Sequence, residues 1–275
     1  MNITDREFEK FSSLVYDRAG INLHIGKKQL VQTRLGKIMR TEGIDNFSSY
    51  LDMILRDDSG NRLVELLDAI STNHTYFFRE KEHLRWLNEH ILPDIFKLES
   101  VKQTGQIRIW SAGCSTGEEP YTIAIDMLEN YKFPFPVEIK MLATDLSSKV
   151  VSIAQNGVYR EEKLQNVPKH MITKYFQKGS GSADGLYRVN EDIRRKITFR
   201  KFNLMDPFPF KKQFDFIFCR NVMIYFDKQT QQKVVQKFQR YVKPGGYFVV
   251  GHSESLSGIK HEFRSIAPTI YRKMT

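Results

Sequence analysis

Apolar residues recur with a helical period over the first part of the chain. Thr4-x-x-Glu7 is a capping-box sequence, and Phe8, Phe11 and Val15 follow it at three- and four-residue steps. A second helix is expected from Lys27 to Arg40. There Val31, Leu35, Ile38 and Met39 share one arc of the helical wheel, and Lys27, Arg34, Lys37 and Arg40 share another. Tyr50, Leu51, Ile54 and Leu55 give a third helix, and Leu63, Leu66, Leu67 and Ile70 a fourth. Residues 1–85 are therefore expected to form a helical N-terminal domain, with residues 86–105 as a linker helix.

The period changes near residue 105. Strand-length apolar runs, "QIRIW", "EIKMLATD", "KITFRKFNL", "FDFIFCRNV" and "YFVVGHSES", now alternate with amphipathic stretches. One of those stretches, "YTIAIDMLENY", puts Ile123, Met127, Leu128 and Tyr131 on one face. Another, "SSKVVSIAQNG", has Ser147 or Ser148 as its cap, and a third is "KQTQQKVVQKFQRYV". "KPGG" is expected to turn. "FDFIFCRNV" is almost wholly apolar, as a strand covered on both faces requires. The alternation implies an α/β fold over 106–275, a doubly wound parallel sheet with its ligand at the carboxyl ends of the strands. "KGSGSADGLYRV" interrupts it. That segment fits a small inserted antiparallel β subdomain, about 170–200, and it fits an exposed connector equally well.

Composition narrows the class. The chain has 275 residues, 41% of them hydrophobic, enough to build one or two cored domains. Its first residues hold no apolar leader, and no apolar run reaches membrane-spanning length, so no membrane insertion is expected. Cys114 and Cys219 are the only cysteines, which excludes a disulfide framework and fits a reducing compartment. A cytoplasmic protein is expected. Net charge is +10, which suits an acidic partner. From Arg18 to Thr41 there is no acid, yet there are six basic residues.

The loop "SAGCSTGEEPY" joins the first strand to a helix. It lacks the glycine spacing of both dinucleotide and phosphate loops, and Glu118-Glu119 would repel a pyrophosphate. Like charges about 4 Å apart repel by roughly 4 kcal/mol at an effective dielectric of 20. The loop suits a ligand without phosphate and with positive charge, such as S-adenosylmethionine. It equally suits two acids that complement a helix dipole ahead of Pro120. Asp145 ends the second strand, where a carboxylate accepts from ribose hydroxyls, or caps a helix. Asn203 and Asn221 end the next two strands, each also a turn former. A row of polar strand ends beside one glycine loop is more specific than any of its members.

"STNHTYFFRE", "WSAGCSTGEEPY", "ATDLS", "FCRNVMIYFD", "KPGG" and "GHSES" resemble the chemotaxis receptor methyltransferases, called CheR, in order and over nearly the whole chain. The resemblance implies a class I, Rossmann-like methyltransferase fold that uses S-adenosylmethionine and releases S-adenosylhomocysteine. The implied reaction methylates glutamate side chains in the cytoplasmic domain of chemoreceptors. By motif position it carries cofactor contacts onto Asn73, Thr75, Arg79, Glu119, Asp145, Asn203, Leu204, Asn221 and Val222, with Glu118 adjacent.

A glutamate nucleophile is ionised at neutral pH, so neither a general base nor a metal is expected. "GHSES" lacks the last glycine of a nucleophile elbow. Arg79 has three candidate roles: pairing with the cofactor carboxylate, orienting the substrate glutamate, or bridging two domains. Tyr225 either positions the reacting carboxylate or packs under the next helix. Arg34, Lys37 and Arg40 form a candidate docking face for acidic receptor helices, or a solvated helix face. The resemblance further matches Gly179, Gly181 and Gly185 to a loop that, in some members, captures the receptor's C-terminal tail peptide. A monomer is expected. Two other classes fit the charge and fold: a nucleic-acid methyltransferase, or a receptor-binding adaptor without catalysis. Val222-Met223 stands where the first would carry two prolines, so no nucleic-acid partner is expected.

Overall fold

The structure is a computed structural model that describes residues 1–71 and 74–274, so Asn73 lies outside the described residues. Four helices open the chain: α1 (Asp5–Ala19), α2 (Lys28–Glu42), α3 (Phe47–Leu55) and α4 (Asn61–Ile70). The Thr4 side chain accepts from the Glu7 N–H while Glu7 reaches back to the Thr4 N–H, which closes the capping box at the start of α1. Phe8, Phe11 and Val15 of α1 are buried against Val31, Leu35 and Met39 of α2 and the apolar faces of α3 and α4.

The stretch expected as one linker helix is built in two pieces. The first starts at Lys81 and runs through Lys81–Trp86, one π turn over Leu87–Ile91, and Leu92–Ile95. The second is Glu99–Thr104. Leu84, Leu87 and Ile91 pack with Ile107 and Ile109 of the sheet and not with α1–α4.

Ten strands follow among the described residues: β1 (Gln106–Ala112), β2 (Glu138–Asp145), β3 (Val158–Arg160), β4 (Phe176–Lys178), β5 (Leu186–Val189), β6 (Ile197–Lys201), β7 (Phe214–Cys219), β8 (Val242–Val250), β9 (Phe263–Ala267) and β10 (Ile270–Lys273). Seven of them form the main sheet in the order β6-β2-β1-β7-β8-β10-β9. The first five are parallel, and β10 runs antiparallel to both β8 and β9. Side-chain alternation splits the core across the sheet. Ile107 and Ile109 face the helices 81–95 and Glu118–Asn130, whereas Trp110 and Ala112 face α1–α4 and the helix Lys228–Tyr241. One continuous core thus joins the N-terminal helices to one face of the sheet.

Three details depart from the pattern reading. The terminal hairpin β9–β10 was not expected; its short strands carry several exposed or half-buried residues and lack an apolar run. "KPGG" is not a turn between elements. It lies within the range of β8, where the pairing jumps from Phe214–Val242 to Phe216–Tyr247, so its four residues bulge out of the ladder opposite Asp215 with Gly245 at φ +76°. The inserted antiparallel sheet, order β3-β5-β4, begins at Val158 and ends at Val189, earlier at both ends than the expected 170–200. Its first strand was hidden because three residues are too few to show a period.

Candidate active site

The strand order reverses between β1 and β7, and a pocket opens there at the carboxyl ends of the parallel strands. The loop after β1 forms its floor. The N–H groups of Gly113 and Cys114 both donate to the Thr144 carbonyl, at 2.8 and 2.9 Å, which pins the loop to the end of β2. Gly113 has φ +81°, and a Cβ there would lie 2.2 Å from Val222 Cγ2, so only glycine fits. Behind it the Trp110 indole N–H donates to Thr144 Oγ1 at 2.9 Å, inside an aromatic cluster of Phe202, Phe208, Phe210, Phe214 and Phe238.

The pocket brings together Thr75, Arg79, Glu119, Asp145, Asn203, Leu204, Asn221, Val222 and Tyr225, from segments scattered over 150 residues of chain. Asp145 is half-buried, and its two carboxylate oxygens accept from the Ser115 N–H at 2.8 Å and the Ser147 N–H at 3.0 Å. Burial pushes its pKa up, against the pull of those N–H groups. Asn203 folds its own turn by accepting from the Met205 N–H, and its Nδ2 donates to the Arg18 carbonyl at the end of α1, at 2.6 Å. The helical unit supplies a wall of its own. Ala19 and Ile21 line the pocket, Ile21 bridges to Phe226, and the Asn22 N–H donates to the Tyr225 carbonyl at 2.8 Å.

The two adjacent carboxylates separate. Glu119 faces the pocket, held by Ser111 Oγ at 2.7 Å and by Arg220 Nε at 2.7 Å. Glu118 is fully buried and points away, accepting from Thr116 Oγ1 at 2.6 Å. The picture of paired loop acids drawing in a cation therefore changes: one acid is absent from the lining and the other already has a counter-charge.

Arg220 is a residue the pattern reading missed. It is only 5% exposed, lines the pocket, and also lies 3.4 Å from Glu80 Oε2. A charged residue at the end of the apolar run "FDFIFC" was the available signal. Burial would raise the Glu80 carboxyl, but the His83 hydrogen bond and the Arg220 charge more than offset it and hold the pKa at about 2. Glu80, His83 and His252 gather their ligand atoms within 4.8 Å of one another. Arg220 already supplies the positive charge at that cluster, so it reads as an ion-pair network. Glu254 was also missed. Its buried carboxylate accepts from the N–H groups of Gly251, Asn221, Met223 and Ile224 and so shapes the loop after β7.

Arg79 lies in the pocket with Nη1 donating to the His74 carbonyl of its own segment at 3.0 Å; among the described residues it makes no ion pair. Tyr225 lines the pocket from a short 3₁₀ turn, Met223–Tyr225. Arg34 corrects the proposed docking face. It is half-buried, and its Nη1 donates to the carbonyls of Ala69, Ile70 and Ser71 at 2.6–3.1 Å, so it caps the carboxyl end of α4. Only Lys37 and Arg40 of that face are exposed. Gly179, Gly181 and Gly185 lie in the β4–β5 loop, where the Gly179 N–H donates to the Leu186 carbonyl at 2.8 Å.

Residues 73–272 match the family model described as CheR methyltransferase, SAM binding domain, and residues 6–71 match CheR methyltransferase, all-alpha domain. The chain is 42% identical over 277 residues to the chemotaxis protein methyltransferase of Borreliella burgdorferi, covering 99% of this chain and 96% of that one. It is 39% identical to a probable chemotaxis protein methyltransferase of Rhizobium etli, over 95% of this chain and 97% of that one. It is 35% identical to the chemotaxis protein methyltransferase of Escherichia coli, over 98% of this chain and 91% of that one.

Proposed function

The chain belongs to the CheR methyltransferase family, and on that premise we propose that it methylates glutamate side chains on the cytoplasmic helices of chemoreceptors, using S-adenosylmethionine. The observation that carries this reading is the convergence of polar strand ends and Arg79 on one pocket. The donor set fits the cofactor. Asp145 keeps lone pairs for two adjacent hydroxyls, and Glu119, paired with Arg220, faces the pocket beside it. When bound, S-adenosylmethionine supplies an electrophilic methyl group on a good leaving group. A receptor glutamate is ionised at neutral pH, so the chain's task is to orient that carboxylate and exclude water.

Incubation with methyl-labelled S-adenosylmethionine and chemoreceptor membranes tests the reading. Base-labile label on the receptor is expected, because methyl esters hydrolyse in base. Base-stable label, or none, rejects it. Asp145→Ala should weaken S-adenosylhomocysteine binding by about 1.5–3 kcal/mol, as loss of charged hydrogen bonds does. Unchanged affinity by calorimetry in the folded variant would remove Asp145 from the cofactor site.

Lys37 and Arg40 are the exposed part of the docking face, and acidic receptor helices are the complementary surface. Reversing both to Glu is expected to cut receptor methylation about tenfold at low salt and leave S-adenosylhomocysteine affinity unchanged. A fully active double variant would place docking elsewhere. The inserted sheet is the proposed seat of the receptor tail peptide. Its outer strand β4 leaves one edge open to an added strand. Deleting residues 180–183 should abolish titration of a tail peptide and spare cofactor affinity. Equal titration curves would count against tethering. No helix among the described residues is long and apolar enough to cross a membrane. The proposed substrate, the receptor's cytoplasmic domain, supports a cytoplasmic location for the enzyme.

A further inference from the structure

Lys163 stands outside the pocket lining yet reaches both segments that frame it. It belongs to a 3₁₀ turn, Glu161–Leu164, that directly follows β3 of the inserted sheet. Its Nζ lies 3.5 Å from Glu118 Oε1 and donates to the Thr75 carbonyl at 3.5 Å. Glu118 is 0% exposed, and its Oε1 is buried without a hydrogen-bond partner among the described residues, so the Lys163 ammonium is the charge that faces it. The neighbour of Glu118, Glu119, lines the pocket, and so does Thr75. A second contact from the same sheet reaches the same loop. Tyr159 of β3 donates its hydroxyl to the Thr116 carbonyl at 2.7 Å, with its ring packed on Phe77 and Tyr121. Gly117 is pressed against it: a Cβ there would lie 2.9 Å from the Tyr159 hydroxyl and 2.8 Å from Ala154 Cβ.

A buried carboxylate that loses its counter-charge must move or admit water. Here either response shifts Gly117 and Glu119, because they flank Glu118 in the chain. Lys163 itself is 47% exposed, so the pair adds little net stability; its leverage is positional. We infer that Lys163 is a positioning residue of the cofactor pocket. It holds the loop that carries Glu119 against the segment that carries Thr75 and Arg79, and thereby sets how tightly the ligand is bound. The inserted sheet then serves the pocket as well as any partner. This inference rests on the pocket's being the S-adenosylmethionine site.

The test is calorimetric titration of S-adenosylhomocysteine into the full chain and four variants: Lys163→Met, Lys163→Arg, Glu118→Gln, and the double Glu118→Gln/Lys163→Met. Lys163→Met is expected to weaken binding about tenfold without loss of the far-ultraviolet dichroism of the fold. Lys163→Arg should recover to within about threefold of the wild type, since it keeps the charge. With Glu118 neutralised, adding Lys163→Met should cost less than about twofold, because the interaction it removes is already gone. In steady state the KM for S-adenosylmethionine should rise while kcat holds. Failure of the wild type to bind S-adenosylhomocysteine would sink the pocket assignment and this inference together. A wild type that binds, beside a Lys163→Met that binds equally well, would sink this inference alone. So would an undiminished Lys163 effect in the Glu118→Gln background.

Discussion

Arg79→Ala is expected to lower kcat about a hundredfold while raising the KM for S-adenosylmethionine far less, the pattern of a group that orients a reacting partner. The geometry favours that outcome. Arg79 lines the pocket, and its donated bond stays within its own segment, to the His74 carbonyl at 3.0 Å. A planar fork without an ion pair among the described residues is poised for a carboxylate. Arg79→Lys should recover part of the rate, since a lysine keeps the charge and loses the bidentate geometry. Steady-state kinetics with a receptor fragment separates the cases. A pure rise in KM would assign Arg79 to the cofactor carboxylate.

Glu254→Gln should cost about 3 kcal/mol of folding stability and weaken S-adenosylhomocysteine as well. The Glu254 carboxylate accepts from the N–H groups of Gly251 at 2.6 Å, Met223 at 2.7 Å, Asn221 at 2.8 Å and Ile224 at 3.3 Å. An amide turns one of those acceptor oxygens into a donor that faces other donors. Asn221 is held at φ +60°, an uncommon conformation for a residue with a Cβ, and this carboxylate ties its N–H in place. Without it the loop 221–225, which carries three residues of the pocket lining, loses its template. Urea unfolding and ligand titration on the same variant check both halves. A change below about 0.5 kcal/mol with full affinity would mean that the loop holds its own shape.

The strands and long helices were legible because each carries a period the eye can count. "FDFIFC" reads as a doubly covered strand and is buried at all six positions. What escaped was whatever has no period. β3 is three residues long, β9 and β10 present few buried side chains, and the proline–glycine pair in β8 looks like a turn unless its partner strand is known. The pocket was legible where chemistry sits at strand ends, as with Asp145, Asn203 and Asn221. It was illegible where a role depends on long-range pairing. Arg220 meets Glu119 across 101 positions of chain, and Glu254 meets Asn221 across 33. Arg34 shows the opposite failure. Its helical spacing groups it with Lys37 and Arg40, but the end of another helix, invisible to periodicity, claims its guanidinium.

The wall that Ala19 and Ile21 contribute has a thermodynamic consequence. A ligand that touches this wall and the strand ends at once binds only when the helical unit is seated on the sheet. By linkage, such a ligand at a hundred times its Kd adds about 2.7 kcal/mol to that seating. Starved of cofactor, the enzyme would present Lys37 and Arg40 from a more loosely anchored platform. Supplied with cofactor, it would present them from a rigid one. Docking at the proposed Lys37–Arg40 face and supply of the methyl donor would then be coupled through a wall of the pocket that the helical unit itself supplies.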